Sequence, residues 1–142
     1  MSHIKTFRDL ETWQLGMRLV ELTYVLTADF PDGERYGLVS QMRRAAVSIP
    51  SNVAEGQAMQ TGKWSLRYIN TALGSSAELD TQLEVSVRLR FVTAEAAREC
   101  VQLLGSVRRL LYGMRRERLS RLGASVGGAS VMLAVLVAML IR

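Results

Sequence analysis

The chain has 142 residues, of which 49% are hydrophobic and 22% are charged, with a formal net charge of +5. This composition indicates one packed domain and excludes an intrinsically disordered chain. The single cysteine, Cys100, and the single histidine, His3 in the polar N-terminus, exclude internal disulfides, His/Cys metal clusters and a fixed Ser–His or Cys–His catalytic pair.

The basic character of the chain is concentrated late in the sequence. Residues 1–87 hold eight Lys or Arg against ten Asp or Glu, whereas residues 88–121 hold nine Arg against three Glu. A concentrated basic segment attracts phosphate backbones and anionic lipid. This charge pattern therefore predicts a protein that binds macromolecules and is not an enzyme. We expect it to use no cofactor and no metal.

The first predicted helix covers residues 9–28 and carries two apolar stripes at helical spacing. One stripe is sufficient for packing inside a bundle, so the second predicts another buried face, against a second subunit. Residues 30–33, Phe-Pro-Asp-Gly, are predicted to end the helix. The first stripe consists of Leu10, Trp13, Met17, Val20 and Tyr24, and the second of Leu15, Leu19, Leu22 and Leu26.

The second predicted helix begins near Glu34, and its inner stripe continues through Pro50. A proline in a helix interior removes one backbone hydrogen bond and clashes with the preceding turn, at a cost of about 3 kcal/mol. We therefore expect either a kink at Pro50 or a break at which Ser51 caps a second short helix. The stripe consists of Leu38, Met42, Ala45, Ile49 and Val53.

Two longer helices are predicted after a turn at residues 56–62. The third covers residues 63–90, and its Gly74 predicts a close packing contact, because glycine weakens a helix by about 1 kcal/mol relative to alanine. Thr93 is expected to cap the fourth helix. The inner stripe of the third helix is Leu66, Ile69, Leu73, Ser76, Leu79 and Leu83, and that of the fourth is Ala97, Cys100, Leu104, Val107, Leu111 and Met114.

Four amphipathic segments without a strand pattern predict an all-α fold, an up-down-up-down four-helix bundle over residues 1–118. Residues 119–142 are predicted to form a basic hinge and an extra apolar C-terminal helix. The uncharged tail, residues 124–141, would reach about 27 Å as a helix, close to the ~30 Å hydrocarbon core of a membrane. The alternatives for this tail are membrane attachment, burial as a fifth helix against the bundle or against a ring of subunits, and a terminus without a role.

Residues 36–56, YGLVSQMRRAAVSIPSNVAEG, resemble the signature of the four-helix bundle proteins encoded in bacterial ribosomal-RNA intervening sequences. Shorter matches lie at residues 7–13, 30–31 and 74–79, so the resemblance covers about residues 5–115. It implies a four-helix bundle that assembles as a ring-shaped homopentamer. A more distant resemblance, to accessory proteins of diversity-generating retroelements, implies binding of RNA or DNA and of a reverse transcriptase through a basic surface.

The polar residues of this signature have two alternative interpretations. They line a ligand or partner pocket, or they satisfy backbone groups that the proline leaves without a partner, which is the interpretation we favour. The two arginines either pair with acidic residues of a neighbouring subunit or face water. The residues concerned are Arg43, Arg44, Ser48, Pro50, Ser51, Asn52, Glu55 and Gly56.

The arginine cluster of the fourth helix is the best candidate for a functional contact. It either binds nucleic acid or is a solvated face that complements the helix dipole. We expect no exposed aromatic residue among these arginines, so that binding follows shape and charge rather than base stacking. The cluster consists of Arg108, Arg109, Arg115, Arg116, Arg118 and Arg121.

These observations together predict a cytoplasmic, non-enzymatic oligomer that binds nucleic acid through the fourth helix. The start of the chain lacks the apolar stretch of a signal peptide, which favours the cytoplasm. The alternative is a membrane-anchored or purely structural oligomer with a protein partner, because the same arginines would also be attracted to anionic lipid.

Overall fold

The computed structural model describes residues 5–59 and 62–140, with side chains up to residue 124. Four α-helices make up the fold: α1 (Glu11–Leu26), α2 (Leu38–Ala58), α3 (Gly62–Arg88) and α4 (Ala94–Leu140). Short 3-10 helices, Phe7–Asp9 and Asp32–Glu34, precede α1 and α2. The described residues contain no β-strand, so the predicted all-α class is confirmed.

The helices are arranged as a square bundle with one hydrophobic core. α1 packs on α2 and α4, α3 packs on the same two helices, and no Cα atoms of diagonal helices come within 8 Å of each other in the described chain. Residues 27–37 and 89–93 reverse the chain between α1 and α2 and between α3 and α4, and the four-helix architecture confirms the predicted bundle. Fully buried core side chains include Leu19, Met42, Ile49, Val53, Ile69, Leu79, Leu104, Val107 and Leu111.

The core face of α1 differs from the predicted one. Its buried residues are Thr12, Gly16, Leu19 and Thr23. Leu19 belongs to the second predicted stripe, and the other three lie between the two stripes. Thr23 is compatible with the core because its hydroxyl donates to the carbonyl oxygen of Leu19 at 2.8 Å. Within one chain the two stripes therefore flank a single buried face, and the outer residues of the first, Met17 and Tyr24, are exposed.

α2 runs unbroken through Pro50, so the predicted break with Ser51 as a cap is wrong. Ser51 instead donates its hydroxyl hydrogen to the carbonyl oxygen of Val47 at 2.8 Å. Pro50 is buried against α1 at Gly16, where an added Cβ atom would lie 3.2 Å from the Pro50 Cβ. The proline ring packs closely on α1 because Gly16 has no side chain at this point.

The close contact between α2 and α3 lies at Gly56 rather than at Gly74, where it was predicted. At Gly56 an added Cβ would lie 3.2 Å from the Cβ of Tyr68 and 3.3 Å from the carbonyl oxygen of Ser65, which is the close contact between these helices. At Gly74 it would meet nothing within 4 Å. The packing contact predicted for Gly74 is therefore wrong for the described chain.

Thr93 caps α4 as predicted, because its hydroxyl accepts a hydrogen bond from the backbone N–H of Ala96 at 3.1 Å. The helix then continues to Leu140, so the extra apolar helix is a continuation of α4 rather than a separate element. The reason is that no proline follows Pro50, and glycine weakens a helix without necessarily ending it. The division into a bundle domain and a tail stays a prediction.

The part of the chain with described side chains contains no helix that is long and apolar enough to cross a membrane. The predicted membrane segment, residues 124–141, lies outside the described side chains except for Ala124.

Candidate nucleic-acid interface

The six predicted arginines of α4 do not form one surface, because an α-helix turns by about 100° per residue. Arg118 is the most buried of them, with 13% of its side chain exposed. Its Nε donates to Ser65 Oγ at 3.0 Å and its Nη2 to Gln57 Oε1 at 3.2 Å. Ser65 in turn donates to the carbonyl oxygen of Gly56 at 2.7 Å. Arg118 therefore links α4 to the last turn of α2 and the first turn of α3.

Arg108 also serves the bundle. Its Nη2 forms an ion pair with Asp80 Oδ2 at 3.0 Å and donates to the carbonyl oxygen of Ser76 at 3.2 Å, both on α3. Arg121 pairs with Glu117 one turn earlier on α4. Pairing with a carboxylate reduces the positive charge that Arg108 and Arg121 present to a ligand. Arg118 presents little because it is mostly buried and its Nη1 lies 3.7 Å from Glu117 Oε1.

The remaining arginines form what we call the outer basic face of α4: Arg109, Arg115 and Arg116. All three are exposed. Arg109 donates to the uncharged Ser106 hydroxyl at 2.9 Å. Arg115 and Arg116 have no hydrogen bond or ion pair with any described residue. This face therefore keeps three cations that no described carboxylate neutralises.

Tyr112 lies within the outer basic face and is 51% exposed. It follows Arg109 by three residues and precedes Arg116 by four, so the three side chains share one side of the helix. The expectation of arginines without an exposed aromatic residue is wrong. The sequence spacing alone indicates that Tyr112 lies beside Arg109 and Arg116, because residues three or four apart are neighbours on any α-helix.

The polar residues of the signature mainly support helix packing. Ser48 Oγ lies 2.8 Å from Ser75 Oγ on α3. Asn52 donates from its Nδ2 to the Ser48 carbonyl oxygen at 2.8 Å and to Ser48 Oγ at 3.0 Å. Together with the Ser51 hydrogen bond, these contacts serve the backbone around Pro50. Glu55 is exposed. None of these hydrogen bonds reaches the carbonyl oxygen of Ala46, whose usual helical donor is missing at Pro50, so the structural interpretation of the motif stays a prediction.

The two arginines of the signature have different surroundings. Arg43 donates from its Nε to Thr27 Oγ1 at 2.9 Å, and its guanidinium carbon lies 4.4 Å from the centre of the Tyr24 ring. Arg44 is exposed and has no hydrogen bond or ion pair with a described residue. Arg43 is therefore a fixed cation on α2, whereas Arg44 is available to a ligand or a partner.

Sequence reasoning missed a second basic surface, which we call the α1–α2 groove. It has a volume of about 640 Å³, and its aromatic and basic lining residues are Tyr24, Arg35, Tyr36, Arg43 and Arg44. They come from the end of α1, the turn after it and the first half of α2, so no single periodic stripe contains them. The sequence signal that remains is the short separation of Arg35-Tyr36 from Arg43-Arg44.

The two shifted pKa values have structural causes. Burial raises the pKa of the Cys100 thiol, against a smaller opposite effect of its hydrogen bond with Thr23. Backbone N–H groups of Thr6 and Lys5 donate to the Asp9 carboxylate and lower its pKa. Among the described residues, no group of three or more His, Cys, Asp or Glu could hold a metal ion.

Comparisons with known proteins agree with this architecture. A solved structure from Bacteroides thetaiotaomicron, a protein of unknown function from the S23 ribosomal protein family, is similar at 21% sequence identity with a TM-score of 0.62. The similarity covers 73% of this chain and 94% of that one, and it shows the shared fold. No curated protein matches the sequence.

The match to a family model is more specific, because it spans most of the bundle. The family described as 23S rRNA-intervening sequence protein matches residues 8–113, which include the signature and all four helices up to the start of the outer basic face. This confirms the resemblance found in the sequence. The chain belongs to the 23S rRNA-intervening sequence protein family.

Proposed function

We propose that this protein is a non-enzymatic oligomeric scaffold that binds nucleic acid through the outer basic face of α4. The observation that carries the proposal is that Arg109, Arg115 and Arg116 are exposed without a carboxylate partner among the described residues. Cations in this state neutralise phosphates and release the counterions that surround a nucleic acid. The exposed Tyr112 between them adds an aromatic surface for an unpaired base.

The three arginines of this face are suited to binding a nucleic acid by charge and shape. Three arginines on one helix contact phosphates, but phosphate contacts carry no sequence information. RNA is the first probe, since the family name refers to intervening sequences of 23S rRNA. The homopentameric ring and the reverse-transcriptase partner are further proposals that rest on the resemblance alone.

The test is filter binding of RNA over a range of salt concentrations. The triple variant Arg109→Gln, Arg115→Gln, Arg116→Gln removes the unpaired cations without touching the core. We expect weaker binding at low salt and a log–log salt slope that is shallower by about 2 to 3 units, since each lost phosphate contact removes about 0.7 to 0.9.

The matched control removes the same charge elsewhere, with Lys5→Gln, Arg8→Gln and Arg88→Gln, all exposed and outside α4. The control should keep the slope of the unmodified chain. The proposal fails if both triple variants lower the slope equally, since net charge alone would then explain binding. It also fails if the unmodified chain does not bind RNA at low salt.

A further inference from the structure

The α1–α2 groove combines cations and exposed aromatic rings in a way that the proposed function does not use. Its lining contains three arginines, two tyrosines and the small or apolar residues Val39, Ser40, Val47 and Ser48, but no Asp or Glu. The groove shares no residue with the outer basic face of α4. It is therefore a second positively charged surface, formed by α1, α2 and the turn between them rather than by α4.

The arginine side chains of the groove are either held in place or unpaired, and both states favour binding of an anionic ligand. The hydrogen bond from Arg43 Nε to Thr27 and the stacking on Tyr24 hold one guanidinium in place and leave its terminal nitrogens without a described partner. The side chains of Arg35 and Arg44 are exposed and form no ion pair or hydrogen bond with described residues. A fixed arginine loses little conformational freedom when it binds a phosphate.

The aromatic residues indicate which class of anion fits. Tyr36 is 91% exposed and Tyr24 is 44% exposed, so both rings present surface to solvent beside the arginines. Proteins that bind single-stranded nucleic acid combine a basic groove with aromatic rings on which unpaired bases stack. A duplex keeps its bases stacked on one another, so it could use the arginines but not the tyrosines.

We propose that the α1–α2 groove binds single-stranded nucleic acid, with phosphates at Arg35, Arg43 and Arg44 and a base stacked on Tyr36. This inference rests on the proposed function, in which the ligand is a nucleic acid. It adds that the ligand of this second surface is single-stranded. Tyr24 takes a supporting part, since one side of its ring is already covered by Arg43.

The test compares a fluorescently labelled single-stranded RNA with the corresponding RNA duplex by anisotropy. The variant Tyr36→Leu removes a ring that packs on nothing in the core, so the fold should be unaffected. We expect single-strand affinity to fall about fivefold to a hundredfold, the range for loss of one stacked base, and duplex affinity to change less than twofold. Trp64→Leu is the matched control, because Trp64 is 55% exposed beside Arg67 but lies outside the groove.

The outcomes separate this inference from the proposed function. If Tyr36→Leu binds single-stranded RNA as tightly as the unmodified chain, the groove is not the single-strand site. This holds even if the triple variant of the outer basic face loses RNA binding. Equal losses for duplex and single strand would also overturn it, because stacking would not be involved. A changed molecular mass in light scattering with unchanged RNA affinity would assign the groove to contact between copies of the chain and contradict the inference.

Discussion

Arg116 and Arg118 are two residues apart on α4, yet they have opposite environments. Arg116 is exposed without a described partner, whereas Arg118 is mostly buried on Ser65 and Gln57. The sequence contained this difference, because Leu111, Met114 and Arg118 continue the inner stripe at separations of three and four. Charge alone groups the two arginines, and only their position around the helix separates a packing role from a binding role.

We predict that Arg118→Met lowers the free energy of unfolding by about 1–3 kcal/mol, because it leaves the buried Ser65 hydroxyl and the partly buried Gln57 amide with fewer partners. Its RNA affinity should stay within twofold of the unmodified chain. Arg116→Gln is the matched control and should show the reverse, with unchanged stability and weaker RNA binding. Urea unfolding and filter binding measure the two quantities. Equal loss of RNA affinity in both variants would contradict the assignment of Arg118 to the bundle.

At the level of the helices, close approach depends on small residues that apolar patterns do not reveal. The middle of the α1 core face is Thr12, Gly16 and Thr23, and Gly16 lies against Pro50 of α2. The pattern of large apolar residues therefore predicts Leu19 and the flanks of this face, but not the small or polar residues packed beside Leu19. α2 and α4, with large apolar residues at the centre, were predicted almost residue by residue.

Two helical glycines allow a direct test of this distinction. Gly74→Ala should stabilise the chain by about 0.5–1 kcal/mol, because alanine is the better helix former and its Cβ would meet nothing within 4 Å. Gly16→Ala should lose that gain, because its Cβ would lie 3.2 Å from the Pro50 Cβ. Thermal unfolding by circular dichroism gives both values. A destabilising Gly74→Ala would mean that a second copy packs on this part of α3.

For the whole molecule, the sequence predicted the bundle because four long periodic segments with short connections have few other ways to bury their apolar faces. The prediction grouped the six arginines by charge, although their positions relative to the inner stripe of α4 already distinguish Arg118 from Arg116. It also divided α4 near residue 118, because the change from basic to apolar composition resembled a boundary. Helix continuity depends on backbone bonding rather than on composition, so α4 continues through this change.

The arrangement of the core predicts that the bundle is independent of the last part of α4. Every buried apolar side chain among the described residues lies at or before Leu111, and Leu122 still contacts the start of α3 at Gly62. A chain that ends at Leu122 should therefore keep the thermal midpoint of the full chain within a few degrees. If subunits associate through the bundle, light scattering should give both chains the same number of copies.

The opposite result for this shortened chain would have a clear structural meaning. A large fall in the midpoint would show that the residues after Leu122 bury apolar surface against the bundle, as a fifth helix would. A lower number of copies at unchanged stability would place the contact between subunits in those residues instead. Sedimentation with anionic lipid vesicles supplies the remaining distinction, because a chain that binds vesicles only when residues 123–142 are present attaches through its apolar segment and not through the outer basic face.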